Sequence, residues 1–316
     1  MIVKENIARD AVRLLIWYPV RWLVAALPPR VGLIFFRFMG DLDHAFSRGK
    51  RRAITRSLRN ALGARMDDLE ISAAVREYFR NHYVNQLQIF LFPRLTRSTI
   101  GQIHKFTGLE HLDAALRRGN GCILVHAHFG PSQLPLCALG IFGYPTMQLG
   151  YLTDEGLSFI GKRVAFRLRK IYEDKIPARI ISADTFLRPV MEWIRKNKVL
   201  MITGDGAGGG KFIGKYRFYP FLGEPTLFPL GAMRLAVKSG AAVLPLFTVL
   251  DEDGTYTTVI HEPIDGSPDI AGNRSPETLA EVFVKMLEGY VVRYPHLWHF
   301  WEELTIRRAG RQNESL

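Results

Sequence analysis

Cysteine is nearly missing. The 316 residues hold two, Cys122 and Cys137, too few for a disulfide framework or a Cys-rich zinc site, and they suit a reducing, intracellular setting. A long uncharged apolar run is also lacking. Spanning a bilayer takes about 18–20 apolar residues with few charges. The nearest approach, Ala11 to Leu27, contains Arg13, Pro19 and Arg21 and is closed by Pro28 and Pro29. No apolar run precedes Asp10 and no small-residue cleavage site is present, so no secretory signal is read. Repeats and low-complexity linkers are likewise missing. Acids are in deficit, 30 against 42 Lys and Arg, which leaves a net charge of +12. Apolar material is plentiful. Hydrophobic residues make up 47% and charged residues 23%, with mean hydropathy +0.01, which excludes a disordered chain. The length allows one large domain or two smaller ones.

The positive charge is concentrated at the start. Residues 1–66 carry two Lys and eleven Arg against four acids. A basic patch usually suggests nucleic acid. Here the aromatics sit inside aliphatic runs (LLIWYPV, WLVAAL, VGLIFFRF) and are not interleaved with Gly and polar residues as in a base-stacking platform. Apolar runs punctuated by Arg suit an anionic membrane surface instead, and no nucleic acid is expected. An Arg in the middle of a spanning helix costs several kcal/mol, about 3 or more. A helix lying in the interface avoids that cost, with Leu14, Leu15, Trp17, Trp22 and Leu23 entering the acyl boundary.

The pattern along the chain changes near residue 100. Residues 1–100 read as a basic helical, membrane-associated region, including the basic helix SRGKRRAITRSLRNAL. Residues 101–316 read as an α/β domain. Its predicted strands are Cys122–His126, Thr146–Tyr151, Arg179–Ser182, Val199–Thr203, Ala242–Val249 and Tyr256–His261. Predicted helices lie between them: Glu110–Arg118, Ser132–Leu139, Leu157–Tyr172, Thr185–Lys196 and Leu230–Lys238, with a last one from Pro276 to Val292. Such alternation indicates a mixed or largely parallel central sheet flanked by helices, in which ligands bind where strands end and helices begin.

Two stretches carry chemistry. In GCILVHAHFGPSQLPLCALG, residues 121–140, an apolar strand runs into His126 and His128. Phe129, Gly130 and Pro131 then turn the chain, and Ser132 is placed to cap the next helix. His128 therefore falls in a loop at a strand's C-terminal end, available for proton transfer. His126 and His128 also form an H-x-H pair, a metal-site element, to which folding could bring Asp205 or His261. In VLMITGDGAGGGK, residues 199–211, the glycines 204, 206 and 209 match G-x-G-x-x-G. The adjoining KFIGKYRFYPFLG does not read as a helix, and the run fails the Walker A pattern at Asp205 and Phe212. The better reading is a flexible Gly loop that carries Asp205, Lys211, Lys215 and Arg217 and can approach a phosphate or thioester carrier closely.

HAHFGPSQ, then GDGAGG, then FLGEPTLFPLGAMRLAVKSGAAVLPLF, then YPHLWHFWEEL, in this order and spacing, resemble the lipid A biosynthesis lauroyl/myristoyl acyltransferases of the lysophospholipid acyltransferase superfamily. Pro295, Trp298 and Trp301 look like that family's C-terminal signature. The resemblance implies a glycerolipid-acyltransferase-like fold on the cytoplasmic face of a bacterial inner membrane, peripheral or monotopic. It implies transfer of a fatty acyl group from acyl carrier protein or coenzyme A to a membrane glycolipid. It implies no cofactor and no metal, because the thioester is already activated.

The family motif is His, four residues, then Asp or Glu. His128 matches the His and would be the general base; the acidic position falls on Gln133. An amide can orient an imidazole but brings no charge. Gln133 is expected to position His128, and Asp205 could supply the missing carboxylate if the Gly loop folds over His128. The substrate-binding residues implied are Arg167 in FRLRK, together with Gly204, Gly206 and Lys211 of the Gly loop and Arg217 beyond it. Backbone N–H groups of that loop could form an oxyanion hole. The overall basic charge would attract acyl carrier protein, which is acidic as a family. The reading is acyl transfer to a hydroxyl or amine of a membrane glycolipid or lysolipid. Two alternatives stay open: a catalytically altered protein of the same fold that binds lipid without transfer, and a metal-dependent hydrolase using His126 and His128.

Overall fold

The structure, a computed structural model, describes residues 6–150, 153–183, 187–207, 212–266 and 274–309. The first hundred residues are helical. α1 (Ile7–Leu15) passes through a π-turn, Ile16–Val20, into α2 (Arg21–Ala26). Pro19 sits in that turn, where its missing N–H breaks the regular i→i−4 ladder. α3 (Pro29–Phe46) starts on Pro29, a residue pre-set for the first helical position. α4 (Arg48–Leu62) is the basic helix. α5 (Asp68–Leu87) opens on a capping box: Asp67 accepts the Glu70 N–H at 2.8 Å, and Glu70 accepts the Asp67 N–H at 2.9 Å.

The rest alternates. β1 (His104–Thr107), α6 (Leu109–Arg117), β2 (Cys122–His126), α7 (Leu134–Ile141) and β3 (Thr146–Gly150) come first. A second π-turn, Gly161–Phe166, leads into α8 (Arg167–Glu173), then β4 (Arg179–Ser182), α9 (Arg188–Arg195) and β5 (Val199–Thr203). β6 (Tyr216–Phe221) and β7 (Glu224–Pro229) form a separate antiparallel hairpin, succeeded by α10 (Gly231–Ser239), β8 (Ala242–Leu250) and β9 (Tyr256–Ile260). α11 (Pro276–Arg293) and α12 (Leu304–Ala309) end the described chain. Seven strands make one mixed sheet in the order β1-β9-β8-β2-β5-β3-β4, parallel except where β8 meets β9. The fold is thus α/β, a mixed central sheet flanked by helices. Among the described residues no helix is long and apolar enough to cross a membrane.

The centre of the sheet reads directly from its residues. Every residue of β2 is buried, as for a strand covered on both faces. Alternate side chains go to opposite sides: Ile123 and Val125 join one core with Phe247 and Phe283, while Cys122 and Leu124 join another with Leu136 and Leu139. Both cores extend into the N-terminal helices, the first through Ile54, Leu58 and Phe79, the second through Trp17, Val24 and Phe36.

Four local expectations shift. The β6–β7 hairpin and β1 are additional to the predicted strands. α9 begins at Arg188, and the expected start at Thr185 lies outside the described residues, as does Tyr151 at the end of β3. Ser132 does not cap α7; it donates its N–H and hydroxyl to Asn85 Oδ1 at 3.0 and 3.1 Å, and Gln133 takes the N-cap position. Trp17 faces inward, packed edge-on against Phe90 and Tyr172, while Leu14, Leu15, Trp22 and Leu23 stay exposed.

Candidate functional site

Strand register assembles the central pair. β2 and β5 are parallel neighbours, and their last residues, His126 and Thr203, lie directly opposite each other. Both strands end on the same edge of the sheet, and each chain runs two residues further, to His128 and Asp205. The Gly204 N–H donates to the His126 carbonyl at 2.7 Å and carries the pairing one step past the strands. His128 Nδ1 then meets Asp205 Oδ1 at 2.8 Å, and the His128 backbone N–H donates to Asp205 Oδ2 at 2.9 Å. The carboxylate accepts only, so the imidazole proton is assigned to Nδ1. Nε2 then carries the lone pair of the neutral ring.

The carboxylate is fully buried, and the Trp298 indole N–H donates to Asp205 Oδ2 at 3.2 Å. Burial pushes the Asp205 carboxyl up, but the adjacent His128 and the charge of Arg307 outweigh it and hold Asp205 below the usual carboxylate range. The imidazole is stacked on Phe300, with ring centres 4.2 Å apart. Behind it, the His299 backbone N–H donates to the His128 carbonyl at 2.9 Å, and the His299 ring donates from Nε2 to the Gly130 carbonyl at 2.8 Å. The segment Trp298–Phe300 therefore clamps the His128 loop from its ring, its backbone and its partner carboxylate. Gly130 has φ +61°, and a Cβ there would lie 2.7 Å from the Thr248 carbonyl oxygen, so the turn after His128 needs glycine.

His128 opens onto a cavity of about 480 Å³. Its lining includes polar Ser132, Gln133, Gln148, Arg169 and Glu173 and apolar Leu149, Ile180, Ile202, Ile213 and Leu235. A larger hollow of about 790 Å³ between α6 and the end of β9 contains neither His128 nor Asp205.

The predicted site residues divide accordingly. His128, Asp205 and Gly206 come together at the cavity. Gln133 lines it but does not orient His128: its amide donates to Glu173 Oε1 at 2.9 Å and accepts from Arg169 at 3.3 Å. The Nδ1 contact expected of Gln133 belongs to Asp205. Arg167 is exposed and does not line the cavity; Arg169, two residues on, does, and also pairs with Glu173 at 2.9 Å. Gly204 is a packing residue, since a Cβ there would meet Phe283 at 2.4 Å and Val125 at 2.7 Å. Arg217 is exposed on β6, outside the cavity wall. Lys211 lies outside the described residues. His126 is buried, with Nδ1 on the Ala127 carbonyl at 3.1 Å, and burial with the neighbouring His128 lowers its pKa to about 4. His261 bonds the Tyr290 hydroxyl at 2.8 Å. Among the described residues no three His, Cys, Asp or Glu side chains are placed to hold a metal ion, so the H-x-H hydrolase alternative has no ligand set there.

Comparison with known proteins gives the same direction throughout. The profile of the bacterial lipid A biosynthesis acyltransferases matches residues 8–304. A phosphatidylinositol mannoside acyltransferase of Mycolicibacterium smegmatis is 24% identical over 293 residues, covering 89% of this chain and 88% of the relative. Proteins of the same name from two strains of Mycobacterium tuberculosis are each 27% identical over 224 residues, covering 67% of this chain and 64% of theirs. The matched segment takes in His128, Asp205 and the Trp298–Phe300 clamp, and the chain belongs to the bacterial lipid A biosynthesis acyltransferase family, whose members are acyltransferases acting on lipids.

Proposed function

We propose that this protein moves a fatty acyl group from an acyl thioester, carried by acyl carrier protein or coenzyme A, to a hydroxyl or amine of a membrane glycolipid or lysolipid, with His128 as general base. The observation that carries this reading is the His128–Asp205 pair, bonded through Nδ1 at 2.8 Å and opening onto the cavity of about 480 Å³. The acceptor oxygen or nitrogen attacks the thioester carbonyl carbon as Nε2 of His128 takes its proton. Asp205 holds the tautomer and stabilises the imidazolium that forms. Backbone N–H groups of the loop at Gly206 face the oxyanion. Collapse breaks the C–S bond, and the proton on Nε2 passes to the departing sulfur. The apolar lining suits the acyl chain. The polar lining, with Gln133, Glu173 and Arg169, suits an acceptor rich in hydroxyls, and the relatives named for phosphatidylinositol mannoside support a glycolipid.

The site of action in this reading is the cytoplasmic face of a bacterial inner membrane, reached without a span. Exposed Val31, Ile34, Phe38, Leu42 and Phe46 recur every three to four residues and form one apolar stripe along α3. The six cations of α4 (Arg48, Lys50, Arg51, Arg52, Arg56 and Arg59) come directly after it. An apolar stripe bordered by cations is the pattern of a helix lying in an anionic interface.

The test is thiol release. Purified protein receives acyl thioesters of acyl carrier protein or coenzyme A, with extracted bacterial membrane lipids as acceptors, and products are weighed by mass spectrometry. Acylated lipid formed by the wild type and lost in His128→Ala supports the reading. Tight lipid binding with no transfer to any lipid supports the binding-protein alternative instead.

A further inference from the structure

Arg307 lies on α12, three residues beyond the segment that matches the family. It is only 4% exposed. Its Nε and Nη1 are buried with no hydrogen-bond partner, and Nη2 reaches Glu303 at 3.4 Å. A buried guanidinium ordinarily satisfies its N–H groups on carboxylates or carbonyls, because leaving them bare costs free energy. What surrounds this one is the catalytic pair. Cζ lies 4.5 Å from the centre of the Phe300 ring, the same ring that stacks on His128. A Cβ on Gly206 would come within 2.7 Å of Nη2 and 3.0 Å of Nη1, so the guanidinium packs flush against the residue that comes after Asp205. Gly206 also has φ +109°, a backbone conformation that favours glycine.

We propose that Arg307 is a positioning residue for the His128–Asp205 pair: wedged between Phe300 and Gly206, it holds the imidazole in its stack and keeps a positive charge beside the pair. The planar cation suits an aromatic face. Its charge lies beside a buried carboxylate and an imidazole that must stay neutral until it accepts the acceptor's proton. Other titratable groups face the pair as well. His126 of β2 and His299 are buried neutral rings, Tyr216 of β6 is a half-buried phenol, Glu303 just before α12 pairs with Arg307, and Arg169 and Glu173 of α8 offset each other at the cavity. Arg307 is the cation among them whose charge acts on Asp205. A fixed positive charge opposes formation of the imidazolium, so removing it makes His128 easier to protonate.

This inference rests on the reading of His128 as the base, and the experiment separates the two. The acidic limb of kcat/KM for acyl transfer is measured together with an NMR titration of the His128 ring in histidine-labelled protein. Arg307→Met is expected to move both the limb and the ring midpoint upward by about 0.5 pH unit or more. Arg307→Lys, which keeps the charge but not the plane, keeps the midpoint near wild type and lowers the plateau rate. Glu303→Gln, which takes away the nearby acid, moves the midpoint down, and it carries the test should Arg307→Met not fold. Midpoints that stay at the wild-type value in folded Arg307→Met, or in Glu303→Gln, overturn the proposal. Transfer that is absent or indifferent to His128→Ala overturns the reading of the base instead, while the ring titration still decides the effect of Arg307.

Discussion

Asp205 accepts two hydrogen bonds from a single residue, His128, one from the ring at 2.8 Å and one from the backbone at 2.9 Å. One buried carboxylate therefore fixes both the tautomer of the imidazole and the loop that presents it. The Trp298 indole supplies a third bond, so the pair is braced from the far end of the chain.

The first prediction concerns Gln133. Because its amide is held by Glu173 and Arg169 and not by His128, Gln133→Glu brings a second carboxylate against Glu173 and leaves the His128–Asp205 bond untouched. The expected result is no gain in kcat and a higher KM for the lipid acceptor, with the KM for the acyl donor unchanged. Steady-state kinetics with separate donor and acceptor titrations check it. A faster Gln133→Glu enzyme would place Gln133 in the proton relay after all.

Trp298→Phe removes one of the three donors to a fully buried carboxylate. The stability cost is expected at about 1–3 kcal/mol, read by urea denaturation. Activity falls by about tenfold, since Asp205 keeps both bonds to His128 but loses the brace behind them.

Acid should weaken the fold before it protonates the carboxylates. Burial lowers the pKa of His126 and of His299 from 6.5 to about 4 in the folded chain. A depressed folded value means that the unfolded chain binds the proton first. The stability is therefore fully present above 6.5 and is lost as pH falls from there toward 4. His299→Gln keeps a donor for the Gly130 carbonyl and removes one of these titrations. Its stability should fall less steeply across that window, by roughly 1 kcal/mol per pH unit, as measured by denaturation at a series of pH values.

The α3 stripe makes a prediction at the membrane. Ile34 and Phe38 are 62% and 54% exposed, so Ile34→Asp with Phe38→Asp should leave the fold and its melting temperature intact. Binding to vesicles that contain anionic lipid should drop by about tenfold or more, and the residual binding should be salt-sensitive. Unchanged co-sedimentation would remove α3 from the attachment surface.

Much of this is legible in the linear sequence, and the reasons for the rest are physical. The buried strands β2, β5 and β8 announce themselves as short apolar runs between turn residues, and the H-F-G-P turn marks His128 at a strand end. Asp205 can be named but not paired, because its distance from His128 depends on which strands are neighbours and in what register. Gln133 misleads because spacing along a motif does not say where an amide points once a helix begins. Arg169 and Arg167 lie on the same short helix, and only which of its faces meets the cavity separates them. The β6–β7 hairpin comes after a Gly-rich stretch whose residues give no periodic signal. Arg307 reads, in sequence, like any cation on a terminal helix; its burial comes from Phe300 and Gly206, which are far apart in the chain.

The central claim is that His128 and Asp205 act as one unit in acyl transfer. Single-turnover transfer of a labelled acyl group to membrane lipid, compared for wild type, His128→Ala, Asp205→Asn and the double variant, tests it most directly. The account predicts a loss of about 10³–10⁴-fold in each single variant and no further loss in the double variant. Transfer by His128→Ala at close to the wild-type rate, or losses that multiply in the double variant, would contradict it.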